Sequence, residues 1–317
     1  MPEPDRIWEP GTSEDLIADA AALDITVTTR LIVDWVESGL LGAPAFHKST
    51  RHGSSARMFS ADQRRMFTEL LQVRARSPHK RIRTDRLIEP VLYIWLEDNA
   101  VVTDQQARRA LRTYARGIGH LDSSARIDAA RRIIEQIAHP EASPALRRAA
   151  QAMLARVQKE SFAHSRIEPL EQEKLYSMLF DLSHNVELRQ SGFERSLGPP
   201  QAPVMLAQLF GMWMATVRMK VVLATEQVAE ADLAEARAEH IAEWARYQQM
   251  RPALYVASGG DRMFQPPPDL EAGYREKLSG FVTLLAGRRG LLAQCIADAA
   301  RLDEKIRAFN KAPSGPP

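Results

Sequence analysis

Hydrophobic positions recur with a helical period in two short segments near the N-terminus. The first, residues 13–23, opens with Ser13 in the place of a helix cap. The second, residues 25–39, is mostly apolar, includes Val33 in that pattern, and ends at Gly39, a residue type that commonly stops helices. Two helices joined by so short a turn predict a helix-turn-helix. Near the start of its second helix lie the residues expected to meet base edges and phosphates: Thr28, Thr29 and Arg30.

The next segment, residues 45–59, is too short and too rich in serine and glycine for a helix. It predicts two brief strands, near residues 45–48 and 56–59, with a turn at residues 52–54. A basic hairpin that follows a helix-turn-helix is typical of a wing, which contacts backbone phosphates beside the groove. The basic side chains of this predicted wing are Lys48, Arg51, His52 and Arg57.

A third helix is predicted to follow the hairpin. Ser60 is in position to cap it, and residues 61–75 carry apolar side chains at helical spacing. Arg64 and Arg65 lie in its first turns, where we expect them to help the wing hold phosphates. The hairpin and this helix together predict a cationic surface.

The charge of the chain supports that prediction, because its distribution is uneven. The 317 residues carry 42 Lys and Arg against 40 Asp and Glu. Between Phe46 and Arg86, however, eleven Lys or Arg face three Asp or Glu, a local charge of +8. A basic block in a nearly neutral protein favours a polyanion-binding surface, and the alternative is a solvated, arginine-rich helix surface with no partner.

The order of these motifs resembles the winged-helix domain of MerR-type transcriptional regulators over about residues 13–76. The resemblance is carried by Trp-Val-Glu-Ser-Gly-Leu-Leu at residues 35–41, the basic hairpin, and Ala-Arg-Met-Phe-Ser-Ala-Asp at residues 56–62. It implies that Arg57 takes the place of the phosphate-contacting wing arginine, Phe59 that of the second aromatic residue, and Ser60 that of the helix cap. It also implies binding to double-stranded DNA.

The recognition helix departs from the pattern of that family. Family members usually carry an Arg-Tyr pair, and this chain has Val33 and Asp34 at those positions. An aspartate there repels phosphate, although it is able to accept a hydrogen bond from the amino group of cytosine. The alternative to DNA binding is a winged helix that contacts another protein.

Helical patterns continue to the C-terminus and predict a mainly α fold. A cationic stripe in the extension either widens the DNA footprint or pairs with acids elsewhere; it consists of Arg108, Arg109, Arg112 and Arg116. The proline-free pattern of residues 204–251 is either one long helix that joins a homodimer, an internal bundle helix, or two helices with an unmarked junction. The predicted organisation is a flexible N-terminus (1–12), a winged helix (13–76), a helical extension (77–120), an all-helical association or sensing region (121–310) and a disordered tail (311–317).

Residues with catalytic or ligand-binding chemistry form no recognised motif. The sequence contains no GxxxxGK[ST], no HExxH, no GxSxG and no GxGxxG after a strand, so neither enzyme activity nor a cofactor is expected. Cys295 is expected to be a small core residue, and His240 with Glu243 to lie on a solvated helix face rather than at a metal. One apolar cluster predicts core or interface, or else a pocket for a small apolar effector: Phe210, Met212, Trp213, Met214 and Met219.

These patterns together predict where the protein acts and on what. Residues 204–224 are apolar but contain Arg218 and Lys220, which favours a buried helix over a membrane span. No signal peptide is visible, so a cytoplasmic, nucleoid-associated protein is expected. The predicted function is a dimeric, DNA-binding transcriptional regulator. The alternatives are an accessory or replication protein of a mobile element, and a helical scaffold whose winged helix docks a protein.

Overall fold

The computed structural model describes residues 7–48, 55–76, 84–119, 127, 130–131, 134–135, 138, 142–164, 174, 178, 196–197, 204–225, 228–257, 264–298 and 300–301. Helices dominate, and the strands form two small antiparallel pairs. The prediction of a mainly α fold with a small hairpin near the N-terminus is confirmed. Across the described residues, no helix has both the length and the apolar character needed to cross a membrane.

The chain divides into two compact units. The first holds the described residues within Met1–Ala115 and Glu226–Arg237, and the second holds those within Arg116–Thr225 and Ala238–Pro317. The first unit therefore continues past the predicted boundary at residue 76. Its elements are α1 (Ser13–Ala21), α2 (Thr29–Ser38), β1 (Ala45–Lys48), β2 (Ser55–Met58), α3 (Ala61–Arg76), α4 (Thr84–Glu97) and most of α5 (Asp104–Gly119).

Helix α1 is capped one residue earlier than predicted. Thr12, and not Ser13, is the cap: its hydroxyl accepts from the amide of Asp15 at 3.4 Å, and the Asp15 carboxylate accepts from the amide of Thr12 at 2.7 Å. This reciprocal pair satisfies two amides that the first turn leaves free. The hydrogen bonds from Thr12, first from its amide and then from its hydroxyl, also lower the pKa of Asp15.

The segment before α1 is attached to the fold, so the predicted flexible N-terminus is wrong for Gly11 and Thr12. Gly11 exchanges two backbone hydrogen bonds with Phe59, at 3.0 and 2.7 Å, which extends the hairpin by one bridge. Residues 1–6, and the predicted tail at 311–317, lie outside the described residues.

Helix α2 ends in a left-handed turn that only glycine adopts without strain. Gly39 has φ 85°, and a Cβ built on it would lie 2.3 Å from the backbone nitrogen of Ala110 in α5. The buried side of α2 contributes Ile32 and Trp35, and the Trp35 ring meets the Phe67 ring edge-on at 5.3 Å between centroids. Packing on α3 and α5 therefore fixes the position of α2.

Strands β1 and β2 pair antiparallel, with Phe46 opposite Arg57 and Lys48 opposite Ser55. Ser60 caps α3 as predicted, because its hydroxyl accepts from the amide of Gln63 at 3.2 Å. The side-chain oxygen of Gln63 accepts from the amide of Gly42 at 2.6 Å, which ties α3 to the segment that enters the hairpin.

Helix α4 begins at Thr84 and carries Pro90 inside it. A proline inside a helix removes one hydrogen bond. Here Leu87 and Ile88, before the proline, are buried together with Val91 and Leu92 after it. Their burial outweighs the loss and keeps both halves in one helix.

The second unit is built from longer helices. Its main elements are α6 (Pro144–His164), β3 (Ser196–Leu197), β4 (Val204–Met205), α7 (Leu206–Thr225), the larger part of α8 (Glu230–Ala257) and α9 (Leu270–Arg288). The β3–β4 pair corrects the prediction of an all-helical region over residues 121–310. Two-residue strands are too short to produce a detectable alternation of polar and apolar positions.

The pattern at residues 204–251 is two helices, so the one-helix interpretation is wrong. Helix α7 ends at Thr225 and α8 begins at Glu230, with Glu230 and Asp232 in its first turn. Acidic residues stabilise the N-terminus of a helix, which makes this a favourable place to start a new one. No proline or glycine marks the junction, and helix length no longer argues for a dimer along this segment.

Candidate nucleic-acid interface

The start of α2, which holds the predicted contact residues, is exposed. Thr28 is its cap and accepts from the amide of Leu31 at 3.3 Å, so its hydroxyl already has one backbone donor. Thr29 is exposed in the first turn. Arg30 is 79% exposed, and its Nε lies 2.9 Å from the carboxylate of Asp34. The pair lies one helical turn apart on the surface, where such ion pairs contribute only about 0.3–0.5 kcal/mol.

Val33 does not belong to the core, although the apolar pattern of the second helix includes it. Its side chain is 42% exposed, whereas Ile32 and Trp35 on the opposite side are buried. Thr29, Arg30 and Val33 therefore share the surface of α2 that faces away from the protein.

The hairpin presents an aromatic ring and a cation as a cross-strand pair. Phe46 is 68% exposed, and the guanidinium carbon of Arg57 lies 5.0 Å from the centre of its ring. Arg57 is also exposed, and among the described residues no carboxylate lies within ion-pair distance of it. The ring holds the guanidinium by a cation–π contact without neutralising its charge.

Of the other predicted wing residues, the structure describes Lys48 but not Arg51 or His52. Lys48 is the last residue of β1 and pairs with Ser55. Arg51 and His52 lie outside the described residues. Phe46 itself was not among the predicted site residues. The signal for it was an apolar residue in a hairpin too small to have its own core.

Arg64 and Arg65 are neighbours with different surroundings. The Arg64 side chain is 13% exposed; Nε and Nη2 each donate to the Asp19 carboxylate at 3.0 Å, and Nη1 donates to the carbonyl of Glu9 at 2.9 Å. These contacts commit Arg64 to the fold, so we exclude it from the DNA-contacting set. Arg65 is half exposed and only 3.6 Å from the equally exposed Asp62.

Two arginines of α5, Arg108 and Arg116, have partners within the protein. Arg108 pairs with Glu230 at 3.2 Å, which matches the alternative that this stripe meets acids elsewhere. Arg116 donates to the carbonyl of Ala224 at 3.3 Å. Burial, and then the neighbouring charge of Arg108, lower the pKa of Arg109.

The described residues of the second unit include no group of side chains that suggests bound metal. Among the described residues no cluster of three His, Cys, Asp or Glu side chains has the arrangement of a metal site. His240 is buried against Phe281 and Trp244, with ring centroids at 5.7 and 5.8 Å, so the prediction of a solvated face is wrong for it. Cys295 is buried, as predicted, and burial raises the pKa of its thiol.

Comparison of the chain with family models, curated proteins and solved structures found no match. The assignment of function therefore depends on the geometry of the first unit. Two features of that unit point outward: the exposed face of α2 and the Phe46–Arg57 pair of the hairpin.

Proposed function

We propose that this protein is a DNA-binding transcriptional regulator that contacts duplex DNA through α2 and the β1–β2 hairpin. In this proposal α1 and α2 form a helix-turn-helix, α2 enters the major groove, and the hairpin acts as a wing on the adjoining backbone. The observation that carries the proposal is the Phe46–Arg57 pair, an exposed ring beside a guanidinium that no described carboxylate neutralises.

The chemistry of that pair matches a nucleic acid better than a simple anion. Arg57 supplies a charge that is free to meet a phosphate, and the ring supplies an apolar face at its side. A DNA strand repeats phosphate next to deoxyribose and base, which is the same combination of anion and apolar surface. The local charge of +8 between Phe46 and Arg86 favours the same class of partner.

The dimensions and capping of α2 suit a groove-binding helix. An α-helix with its side chains is about 10–12 Å across, and the major groove is about 12 Å wide. Thr28 caps one end and Gly39 the other. The helix is therefore formed and positioned before any partner binds, so binding does not have to supply the free energy of folding it.

The test is the salt dependence of binding to labelled, random-sequence duplexes, measured by fluorescence anisotropy with the full chain. The logarithm of the affinity should fall linearly with the logarithm of the salt concentration, by about 0.9 for each phosphate contact. Arg57→Gln should reduce the magnitude of that slope by about one contact. Arg246→Gln, an exposed arginine of the second unit, serves as the matched control and should leave the slope unchanged.

Two results would contradict the proposal. The first is weak binding with no dependence on salt, which is the behaviour expected of a protein-docking scaffold. The second is a salt-dependent affinity that Arg57→Gln and Arg246→Gln change equally, because the hairpin then has no special part in binding.

A further inference from the structure

The outward face of α2 carries no net positive charge, although the segment that follows it, from Phe46 to Arg86, carries +8. The exposed positions on this face are Thr29, Arg30, Val33 and Glu37. The one cation, Arg30, is paired with Asp34 at 2.9 Å, and Glu37 adds a negative charge. Charge attraction to phosphates is therefore not what this face contributes. Whatever it adds to binding must come from the shape and chemistry of its side chains.

Val33 is the large apolar side chain at the middle of that face. It lies one turn after Thr29 and one turn before Glu37, and is 42% exposed. A single exposed valine is ordinary on a protein surface. On a helix that enters the major groove, however, its two methyl groups would face the edges of the bases.

The major groove presents one apolar group to such a side chain, the 5-methyl group of thymine. The other base edges present hydrogen-bond donors and acceptors, which an aliphatic side chain leaves without partners. We infer that Val33 recognises the 5-methyl group of a thymine, and this inference rests on the proposed function. The substrate is thereby narrowed from duplex DNA in general to sites with a thymine opposite the middle of α2.

The experiment removes the 5-methyl group from the thymine side of the contact and both side-chain methyl groups from Val33. The full chain first selects its preferred duplexes from a random-sequence pool. In the selected duplex each thymine is then replaced, one at a time, by deoxyuridine, which differs only in lacking the 5-methyl group. Affinities are measured for the wild type, for Val33→Ala and for Val256→Ala, an exposed valine of the second unit that serves as the matched control.

At one thymine the replacement should weaken wild-type binding about fourfold, the effect of losing one buried methyl group. Val33→Ala should bind the thymine duplex more weakly and should show no further loss with uracil at that position, because the two changes remove the same contact. Val256→Ala should retain the full loss. Circular dichroism of Val33→Ala is expected to match that of the wild type, since the substituted side chain is exposed.

Failure of this inference differs from failure of the proposed function. If the chain selects a site and binds it with the expected salt dependence, but no uracil replacement weakens binding, the inference is wrong and DNA binding stands. The inference is equally wrong if Val33→Ala remains as sensitive to uracil as the wild type, or if no sequence is enriched. If no duplex binds at all, the proposed function fails and the inference fails with it.

Discussion

The side-chain amide of Gln63 in α3 donates a hydrogen bond to the side-chain oxygen of Gln106 in α5, across 2.9 Å and away from solvent. Gln63 also binds the amide of Gly42 and the carbonyl of Val101, and Gln106 donates to the carbonyls of Gly39 and Leu40 at 3.3 Å. The two glutamines thus satisfy the backbone between the end of α2 and the start of the hairpin.

Gln106→Leu should lower the free energy of unfolding by about 3 kcal/mol or more. The substitution leaves a buried amide hydrogen of Gln63 and two backbone carbonyls without partners, and each unsatisfied group costs about 1–3 kcal/mol before relaxation. Gln105→Leu is the control, because Gln105 is the exposed neighbour on the same helix. Urea unfolding followed by circular dichroism measures both; equal effects would show that the network contributes little.

Gly39→Ala should destabilise the protein by at least about 3 kcal/mol. Part of the loss is the left-handed backbone, which costs other residues about 1–2 kcal/mol, and part is the clash with the backbone of Ala110. Gly290→Ala separates these contributions, since Gly290 has φ 72° but nothing within 4 Å of a built Cβ. It should cost only about 1 kcal/mol in thermal unfolding. Similar losses of stability in the two variants would show that α5 can shift away from a Cβ at residue 39 at little cost.

Arg64→Leu should cost about 3 kcal/mol of stability, because it removes the two charge-assisted hydrogen bonds from the guanidinium to the buried carboxylate of Asp19. Arg65→Leu, one residue later and half exposed, should change stability by less than about 0.5 kcal/mol. The two variants should rank the other way in DNA-binding titrations of the folded proteins. There Arg65→Leu should weaken binding more than Arg64→Leu does. If Arg64→Leu folds stably and shows a reduced salt slope, Arg64 belongs among the residues that contact DNA.

Phe46→Ala should weaken DNA binding about fivefold at every salt concentration and leave the salt slope unchanged. The ring carries no charge, so its removal eliminates about 1 kcal/mol of apolar contact without releasing counterions. Leu270→Ala, which removes an exposed apolar side chain from the second unit, should have no effect. A change of slope in Phe46→Ala would mean that the ring acts only by positioning Arg57.

The second unit should lose stability in mild acid through His240. Burial first, and then the positive charge of Lys277, lower its pKa from 6.5 to about 4, whereas a backbone hydrogen bond at Lys277 acts in the opposite direction. Below pH 6.5 the unfolded chain therefore binds a proton that the folded chain does not. Stability relative to His240→Phe should fall between pH 6.5 and 4, by at most about 1.4 kcal/mol per pH unit, and stay level above pH 6.5.

Hydrogen exchange of the α9 amides is the appropriate measurement, because His240 packs against Phe281 of that helix. At each pH, the free energy of opening obtained for the wild type is compared with that for His240→Phe. Taking the difference cancels the contribution of other titrating groups. A difference that does not change between pH 4 and 6.5 would contradict the prediction.

Local signals in the sequence predicted much of the first unit. The serine that caps α3, the glycine that ends α2 and the brief strands of the hairpin each act within a few residues, so they can be recognised from the chain. Tertiary packing decided the rest. Helix α4 continues through Pro90 because apolar side chains on both sides of it are buried, and no local rule anticipates that balance.

The predicted contact residues show the same limit. Arg64 and Arg65 are indistinguishable in sequence, and only the position of Asp19, 45 residues away from Arg64 along the chain, separates a structural cation from a surface cation. Val33 has the polarity of a core residue but lies on the outward face of α2. The break between α7 and α8 escaped prediction because the junction lacks both proline and glycine.

Gly39 lies close to the backbone of Ala110, so contact with α5 fixes the orientation of α2. The outward side chains of α2 do not determine that orientation. Those side chains can accordingly be exchanged without disturbing the architecture beneath them. A library randomised without proline at residues 29, 30, 33 and 37 should yield well-folded members, and if the proposed function holds, it should contain members with new target preferences.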